Sequence, residues 1–407
     1  MKHSDKPTLL LLTSSFPSSP DDETCGYVRD LARSLAVEFN VTVLAPADRR
    51  AVGWPPDAFR LSRSRSILPL RRDPFQAGDD LNHLINNGLI ARLAALISVF
   101  CFFAHAVALA LRADAICSNW MVPSGLVGAL ISRTFGTRHV VVEHSGALHL
   151  LARIRRGRMI ARFVVAGSDR VITVSEDLKR KLIGLCSESE NKVEVIPMGI
   201  NVSSRGETIT AEPIRPPVVC PSVLFIGRLT EIKGLDVLLK AMEGLDRLQL
   251  IVAGDGETRE NNERFARQLS VNALFIGRVG AVERNRLLAA CDAVVIPSIV
   301  RADGRSEGMP VVCLEAMAAG RVVIASRVGG LAENISDGEN GFLFEQGDHR
   351  MLKEKLMLAL SDEALRQRIA ENAQRSVAAY DWTRIGLRFS SVLKEPVTGF
   401  ENLVYRH

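Results

Sequence analysis

The chain has 407 residues, 47% hydrophobic and 24% charged, an ordinary soluble balance in a chain too long for one hydrophobic core, so two domains are expected. Aromatics make up 5%, which leaves few stacking platforms and argues against a nucleic-acid partner. Net charge is +5 and uneven: residues 1–200 hold 25 Lys/Arg against 19 Asp/Glu, the remainder 26 against 27, so the first half is the better candidate for an anionic partner.

The opening MKHSDKPTLLLLTSSFP has too short an apolar run for a signal-peptide core and reads as a first buried strand at 8–12. A polar, proline-containing loop at 14–24 leads to a helix at 28–39 and a strand at 41–44. Residues 93–111, LAALISVFCFFAHAVALAL, contain no charge and one histidine between Arg92 and Arg112. That length suits a membrane span. Strands at 115–117, 139–143 and 170–174 follow, however, and a span here would put neighbouring strands on opposite sides of a bilayer. A buried or membrane-surface helix is the expectation. Arg153, Arg155, Arg156, Arg158 and Arg162 suit anionic lipid or a phosphorylated acceptor, and equally a solvated helix face. Seven scattered cysteines without a CxxC pair point to a reduced, cytosolic chain.

Residues 203–217, SSRGETITAEPIRPP, read as a linker. A second alternation begins beyond it, with strands at 223–226, 248–252, 273–276, 293–296 and 322–325, and a last helix from 381. Helices between strands predict an α/β chain of two Rossmann-like, doubly wound domains, with a ligand cleft at the carboxyl ends of their strands. The expected boundaries are 1–203, a linker at 204–217, 218–380, and a helix at 381–407.

The segment SEGMPVVCLEAMAAG, 306–320, carries the strongest chemical signal. Pro310 suits the first turn of a helix and Gly320 its end, so a helix from about 309 to 319 is predicted. Its N-terminus offers unpaired N–H groups and the positive dipole end, which suit phosphate. Gly308 allows close approach. A diphosphate there leaves Glu307 near one end of the ligand and Glu315 near the other. Carboxylates accept hydrogen bonds from vicinal hydroxyls, so the pattern fits a nucleotide sugar. Two solvated glutamates on an amphipathic helix are the plainer alternative. In VLFIGRLTEIKGLDVLL, 223–239, Arg228 and Lys233 follow a strand and could neutralise a leaving diphosphate. In HVVVEHSG, 139–146, His144 ends a strand and could meet the transferred sugar. Gly26, before the first helix, could admit phosphate or acceptor. No GxxxxGK[ST], GxGxxG, metal-ligand cluster or Asp-x-Asp pair occurs.

These segments together resemble the retaining glycosyltransferase family 4, of the GT-B fold. The match includes EHSG at 143–146, SDRVITVSEDLKRKL at 168–182, FIGRLTEIKG at 225–234, IVAGDGE at 251–257, FIGRV at 275–279, the 297–320 segment and VGGLAENISDGENGFLF at 328–344. The resemblance implies that Arg228 and Lys233 bind the donor diphosphate and that Glu315 holds the ribose. It places Glu307 near the donor sugar, with His144 on that sugar's side. It implies donor contacts from Gly26, Gly308, Met309, Val311 and Val312, and from the backbone at Val279 to the base. The implied reaction is metal-independent transfer with retention, from a nucleotide-diphosphate-sugar co-substrate to a glycan, lipid-linked or small-molecule acceptor. The cysteines set the chain in the cytoplasm, and the apolar helix and the arginines make the first domain a candidate for bilayer contact. A nucleotide-sugar 2-epimerase, a phosphorylase and a non-catalytic sugar-nucleotide-binding subunit are the alternatives. Met198 and Asn201 in VIPMGIN depart from the family's usual Asn and Asp. The first loop has one glycine rather than a pair. The insertion RADG at 301–304 resembles that of exopolysaccharide and colanic-acid-type enzymes.

Overall fold

A computed structural model describes residues 6–48, 51, 54–64, 89–202 and 221–395. The expected linker at 204–217 lies outside the described residues. The chain divides into two compact units, one running to Met198 and resuming at Thr383, the other Gly199–Trp382.

The first unit is built from β1 (Thr8–Leu12), α1 (Gly26–Leu35), β2 (Asn40–Pro46), β3 (Arg60–Ser64), α2 (Leu89–Ala110), β4 (Ala115–Asn119), α3 (Leu126–Phe135), β5 (Arg138–Glu143), α4 (Gly146–Arg153), α5 (Gly157–Ala166), β6 (Arg170–Thr173), α6 (Glu176–Leu185) and β7 (Val193–Val195). Its strands pair in parallel in the order β3-β2-β1-β4-β5-β6-β7. A sheet covered on both faces wants strands without polar alternation, and TLLLL meets that demand: Leu9 to Leu12 are almost wholly buried. Leu10 and Leu12 join Leu44 and Ile116 in a cluster with Phe102, Ala106 and Ala110 of α2 and Val127 and Ile131 of α3. Leu9 and Leu11 therefore point to the opposite face.

The second unit comprises β8 (Ser222–Ile226), α7 (Leu235–Met242), β9 (Gln249–Ala253), α8 (Arg259–Gln268), β10 (Ala273–Gly277), α9 (Ala281–Ala290), β11 (Ala293–Ile296), α10 (Val311–Ala318), β12 (Val322–Ser326), α11 (Gly329–Asn334), β13 (Phe342–Phe344), α12 (His349–Ser361) and α13 (Glu363–Val377). Its sheet order is β10-β9-β8-β11-β12-β13. In each unit the strand order reverses once, between β1 and β4 and between β8 and β11. Such switch points open a crevice at the carboxyl ends of the strands.

The last helix, α14 (Trp382–Lys394), packs on the first unit. Arg138 donates to the Val392 carbonyl at 2.6 Å, Arg170 pairs with Glu395 at 3.1 Å, and Lys394 pairs with Glu38. A side chain at Gly386 would collide with Ser34, whose Cβ would lie 2.8 Å from the added carbon.

The long apolar run is α2, which lies in chain order between β3 and β4, two strands of the same sheet. Among the described residues no helix is long and apolar enough to cross a membrane. Some boundaries differ from expectation. The first helix stops at Leu35 rather than 39, leaving Val37 exposed. Strands β3, β7 and β13 were not anticipated.

Candidate active site

In the second unit the site assembles around the switch point. Beyond β8, Arg228 stands exposed, and Lys233 closes the short turn Glu231–Lys233. Gly234 follows at φ +61, where an added Cβ would stand 2.0 Å from the Pro297 carbonyl oxygen. Only glycine lets the loop after β8 seat against the loop after β11. That seating brings Lys233 Nζ to 3.1 Å from Glu307 Oε1, with both side chains mostly shielded from water. The inserted RADG segment joins the same loop, since Arg301 pairs with Glu231 at 2.9 Å.

Glycines also hold the Glu307–Gly308 backbone. Gly330 donates to the Gly308 carbonyl at 3.0 Å. Gly329 sits at φ +48, where a Cβ would meet the Glu307 carbonyl oxygen at 2.5 Å. Helix α10 starts at Val311, two residues later than expected. Pro310 caps it with ψ 111, an extended value, so Met309 and Pro310 lead into the helix rather than form its first turn. In its first turn Cys313 N–H already donates to the Pro310 carbonyl at 3.0 Å, whereas Val311 and Val312 have no carbonyl one turn earlier in the helix to donate to.

Glu315 lies on α10 and is only 6% exposed. A carboxylate at that depth needs a counter-charge. Arg284 of α9 supplies one at 3.1 Å. Val279 is half-buried in the loop between β10 and α9. The structure thus gathers Arg228, Lys233, Glu307, the 308–312 backbone and Glu315 around one strand-order reversal. It adds Arg284, which the sequence reading missed because nothing in VERNRLL separates it from a solvated arginine.

The first unit holds His144 and Gly26. His144 Nε2 is 2.9 Å from Asn119 Oδ1, and its ring lies between Tyr27 and Trp120, with centroids 5.0 Å from each. Burial among these groups pushes its pKa down to about 3, so the imidazole is neutral. Assigning the Nε2 proton toward Asn119 leaves Nδ1 as an acceptor. The other end of the Asn119 amide is buried without a hydrogen-bond partner. Glu143 fixes this turn: its buried carboxylate accepts from the N–H groups of Met121 at 2.9 Å, Ser145 at 2.8 Å and Leu148 at 3.3 Å. Burial raises the Glu143 pKa, opposed by those bonds. Glu143 and Asn119 are further positioning groups that the sequence reading did not single out. Gly26 opens α1, and a Cβ there would meet Glu23 Oε2 at 2.9 Å, so glycine here also makes room for the chain's own carboxylate. Cys25 caps the helix at φ 54, an uncommon conformation for a residue other than glycine. Among the described residues no group of three or more His, Cys, Asp or Glu could hold a metal ion.

The family profile described as "Glycosyl transferase 4-like domain" matches residues 26–199, and "Glycosyl transferases group 1" matches 216–376. The chain is a glycosyltransferase of the family 4 type. An uncharacterized glycosyltransferase of Methanocaldococcus jannaschii, MJ1178, is 29% identical over 286 residues, 69% of this chain and 75% of its own length. Sucrose-phosphate synthase from Thermosynechococcus elongatus matches with a TM-score of 0.75 at 22% identity, covering 95% of this chain and 98% of that one. Anabaena HepE, solved with UDP, matches at 0.70 and 20% identity, covering 95% and 99%. The glycosyltransferase has the GT-B fold of two Rossmann-like domains.

Proposed function

We propose that this glycosyltransferase moves a sugar from a nucleotide-diphosphate-sugar to a hydroxyl of a glycan, lipid-linked or small-molecule acceptor. The proposed reaction proceeds with retention, without a metal, and at the cytoplasmic face of a membrane. The observation that carries this reading is the pair of cation-held carboxylates, Lys233–Glu307 and Arg284–Glu315, set either side of the start of α10. The HepE likeness, in a structure that holds UDP, favours a uridine donor.

The chemistry follows from the charges. A donor diphosphate on the α10 N-terminus competes with Glu307 for Lys233. Once Lys233 turns to phosphate, Glu307 is released to accept from sugar hydroxyls. Glu315, paired with Arg284, accepts from the ribose hydroxyls. As the sugar–oxygen bond breaks, negative charge grows on the diphosphate, where Arg228, Lys233 and the helix N-terminus stabilise it. Neutral His144 accepts a hydroxyl hydrogen bond through Nδ1 and orients the sugar. The acceptor hydroxyl attacks from the face the diphosphate leaves, and its proton goes to the departing phosphate oxygen.

A thermal-shift screen with UDP-, GDP- and ADP-sugars, followed by product NMR, tests this. A donor-specific stabilisation and an α-linked product from an α-linked donor are expected. Release of a free 2-epimer would assign a 2-epimerase, and need for inorganic phosphate a phosphorylase. Binding without turnover under any acceptor would make the chain a non-catalytic subunit.

A further inference from the structure

Helix α2 has an inner and an outer face, and both are apolar. Inward, Phe102, Ala106 and Ala110 are buried against the sheet. Outward, Leu93, Leu96, Phe100 and Leu111 are 50%, 66%, 68% and 66% exposed, with Ala104 and Ala108 exposed on the same side. Steps of three and four residues put them on one stripe about 27 Å long. A helix covering a sheet in water normally turns a polar face outward. Contiguous exposed apolar surface of this extent marks an interaction site.

The helices of this layer carry the complementary charge. α3 packs beside α2, and α5 beside α3. Leu130 and Phe135 of α3 and Met159 of α5 are exposed. So are Arg112, Arg133, Arg153, Arg155, Arg156, Arg158 and Arg162. Residues 89–167 contain nine arginines against two acids, Asp114 and Glu143. Glu143 is wholly buried, and Arg162 also meets Glu188 at 2.9 Å.

We infer that the outer layer of α2, α3 and α5 rests on an anionic lipid bilayer, with the α2 stripe entering the headgroup–acyl boundary. Apolar side chains flanked by arginines match a surface that is greasy beneath and negative on top. A second copy fits this face poorly, because a two-fold contact would set arginine against arginine. The helix lies on the bilayer rather than across it, since its inner face is buried against the sheet and it is not long and apolar enough to span. This deepens the membrane placement proposed above and is independent of the donor chemistry.

The test is co-sedimentation of the full chain with phosphatidylcholine–phosphatidylglycerol vesicles and with phosphatidylcholine alone. Wild type is expected to pellet with the anionic vesicles only, and less as salt rises. Arg155→Gln/Arg156→Gln/Arg158→Gln should weaken binding by roughly fivefold per arginine removed. Leu96→Ser/Phe100→Ser should weaken it by at least tenfold at low salt. Both variants change exposed side chains, and an unaltered Tm and donor-induced thermal shift show that each still folds. Retention in the supernatant with every vesicle at low salt overturns the inference. So does vesicle binding that neither variant alters. A concentration-dependent dimer in sedimentation velocity, abolished by Leu96→Ser/Phe100→Ser, would assign the face to a second copy instead. Loss of vesicle binding with an intact donor shift separates failure here from failure of the donor reading.

Discussion

The two units supply different kinds of site. In the second, both candidate carboxylates are held by cations: Lys233 on Glu307 and Arg284 on Glu315. In the first, the candidate group is an uncharged ring wedged between two other rings and one amide. On the proposed reading, the second unit exchanges charge partners when a diphosphate arrives and meets charge that grows as it leaves. On the same reading, the first holds direction without contributing charge. Substitutions in the second should therefore strike turnover and charge balance, and those in the first should strike orientation.

The largest expected effect follows from Lys233→Ala, which removes a diphosphate contact and frees Glu307. A loss of one such contact is worth about 2.7–4 kcal/mol of barrier, a fall in kcat of about a hundredfold or more. Arg228→Ala should fall in the same range. Near-wild-type turnover in both would break the comparison. The double variant Lys233→Ala/Glu307→Gln sharpens it: if the ion pair is only structural, the second change restores stability, and turnover returns with it.

Next comes Arg284→Met. It takes a counter-charge from a buried carboxylate, so thermal stability should fall, by up to about 3–5 kcal/mol, and donor affinity should fall with it. Donor titration and denaturation measured together decide this, and Arg284→Met/Glu315→Gln should recover stability but not affinity. Wild-type stability in the single variant would remove Arg284 from the site.

His144→Gln should cost less, about tenfold in kcat/KM, because it loses one hydrogen bond to the sugar. With its pKa near 3, His144 should add no ionisation to the rate profile between pH 5 and 8. A limb near pH 6.5 that disappears in His144→Gln would show it titrating as a base.

A separate effect falls on stability against pH rather than on turnover. Burial depresses His139 to about 4 and His144 to about 3. The unfolded chain therefore takes up these protons first, and stability present above pH 6.5 is lost as pH falls toward 4. For His139 the full loss is about 3 kcal/mol. Glu143, raised by burial, acts in the opposite sense at low pH. Urea midpoints at pH 7 and 5 should show a net fall, and no fall would contradict the burial of these imidazoles.

Much of the fold was legible because the central strands are unbroken apolar runs between helical periods. TLLLL and HVVVE leave little choice. What escaped was short or polar. RLSRS of β3 lies at a sheet edge and has no apolar run, while β7 and β13 are three residues each. VRDLARSLAVEF kept helical spacing past Leu35, although Val37 faces water. Pro310 fits either a cap or a first turn, and only its ψ decides. In the site, the glutamates at 307 and 315 were legible from spacing. Their partners were not paired with them, because each comes from a different strand–helix unit and only tertiary packing joins them.

The return of α14 to the first unit makes residues 199–382 an insert within a host domain. The two ends of the insert are stitched to each other: Ile200 donates to the Tyr380 carbonyl at 2.8 Å, and Trp382 donates to the Ile200 carbonyl at 3.1 Å. Gly199 sits beneath the Trp382 ring so closely that an added Cβ would stand 2.5 Å from it. A segment with neighbouring termini can be excised or transplanted at little entropic cost. The donor-binding half should thus be portable, whereas cutting the chain after Tyr380 would strip the host domain of the helix that buries Phe389.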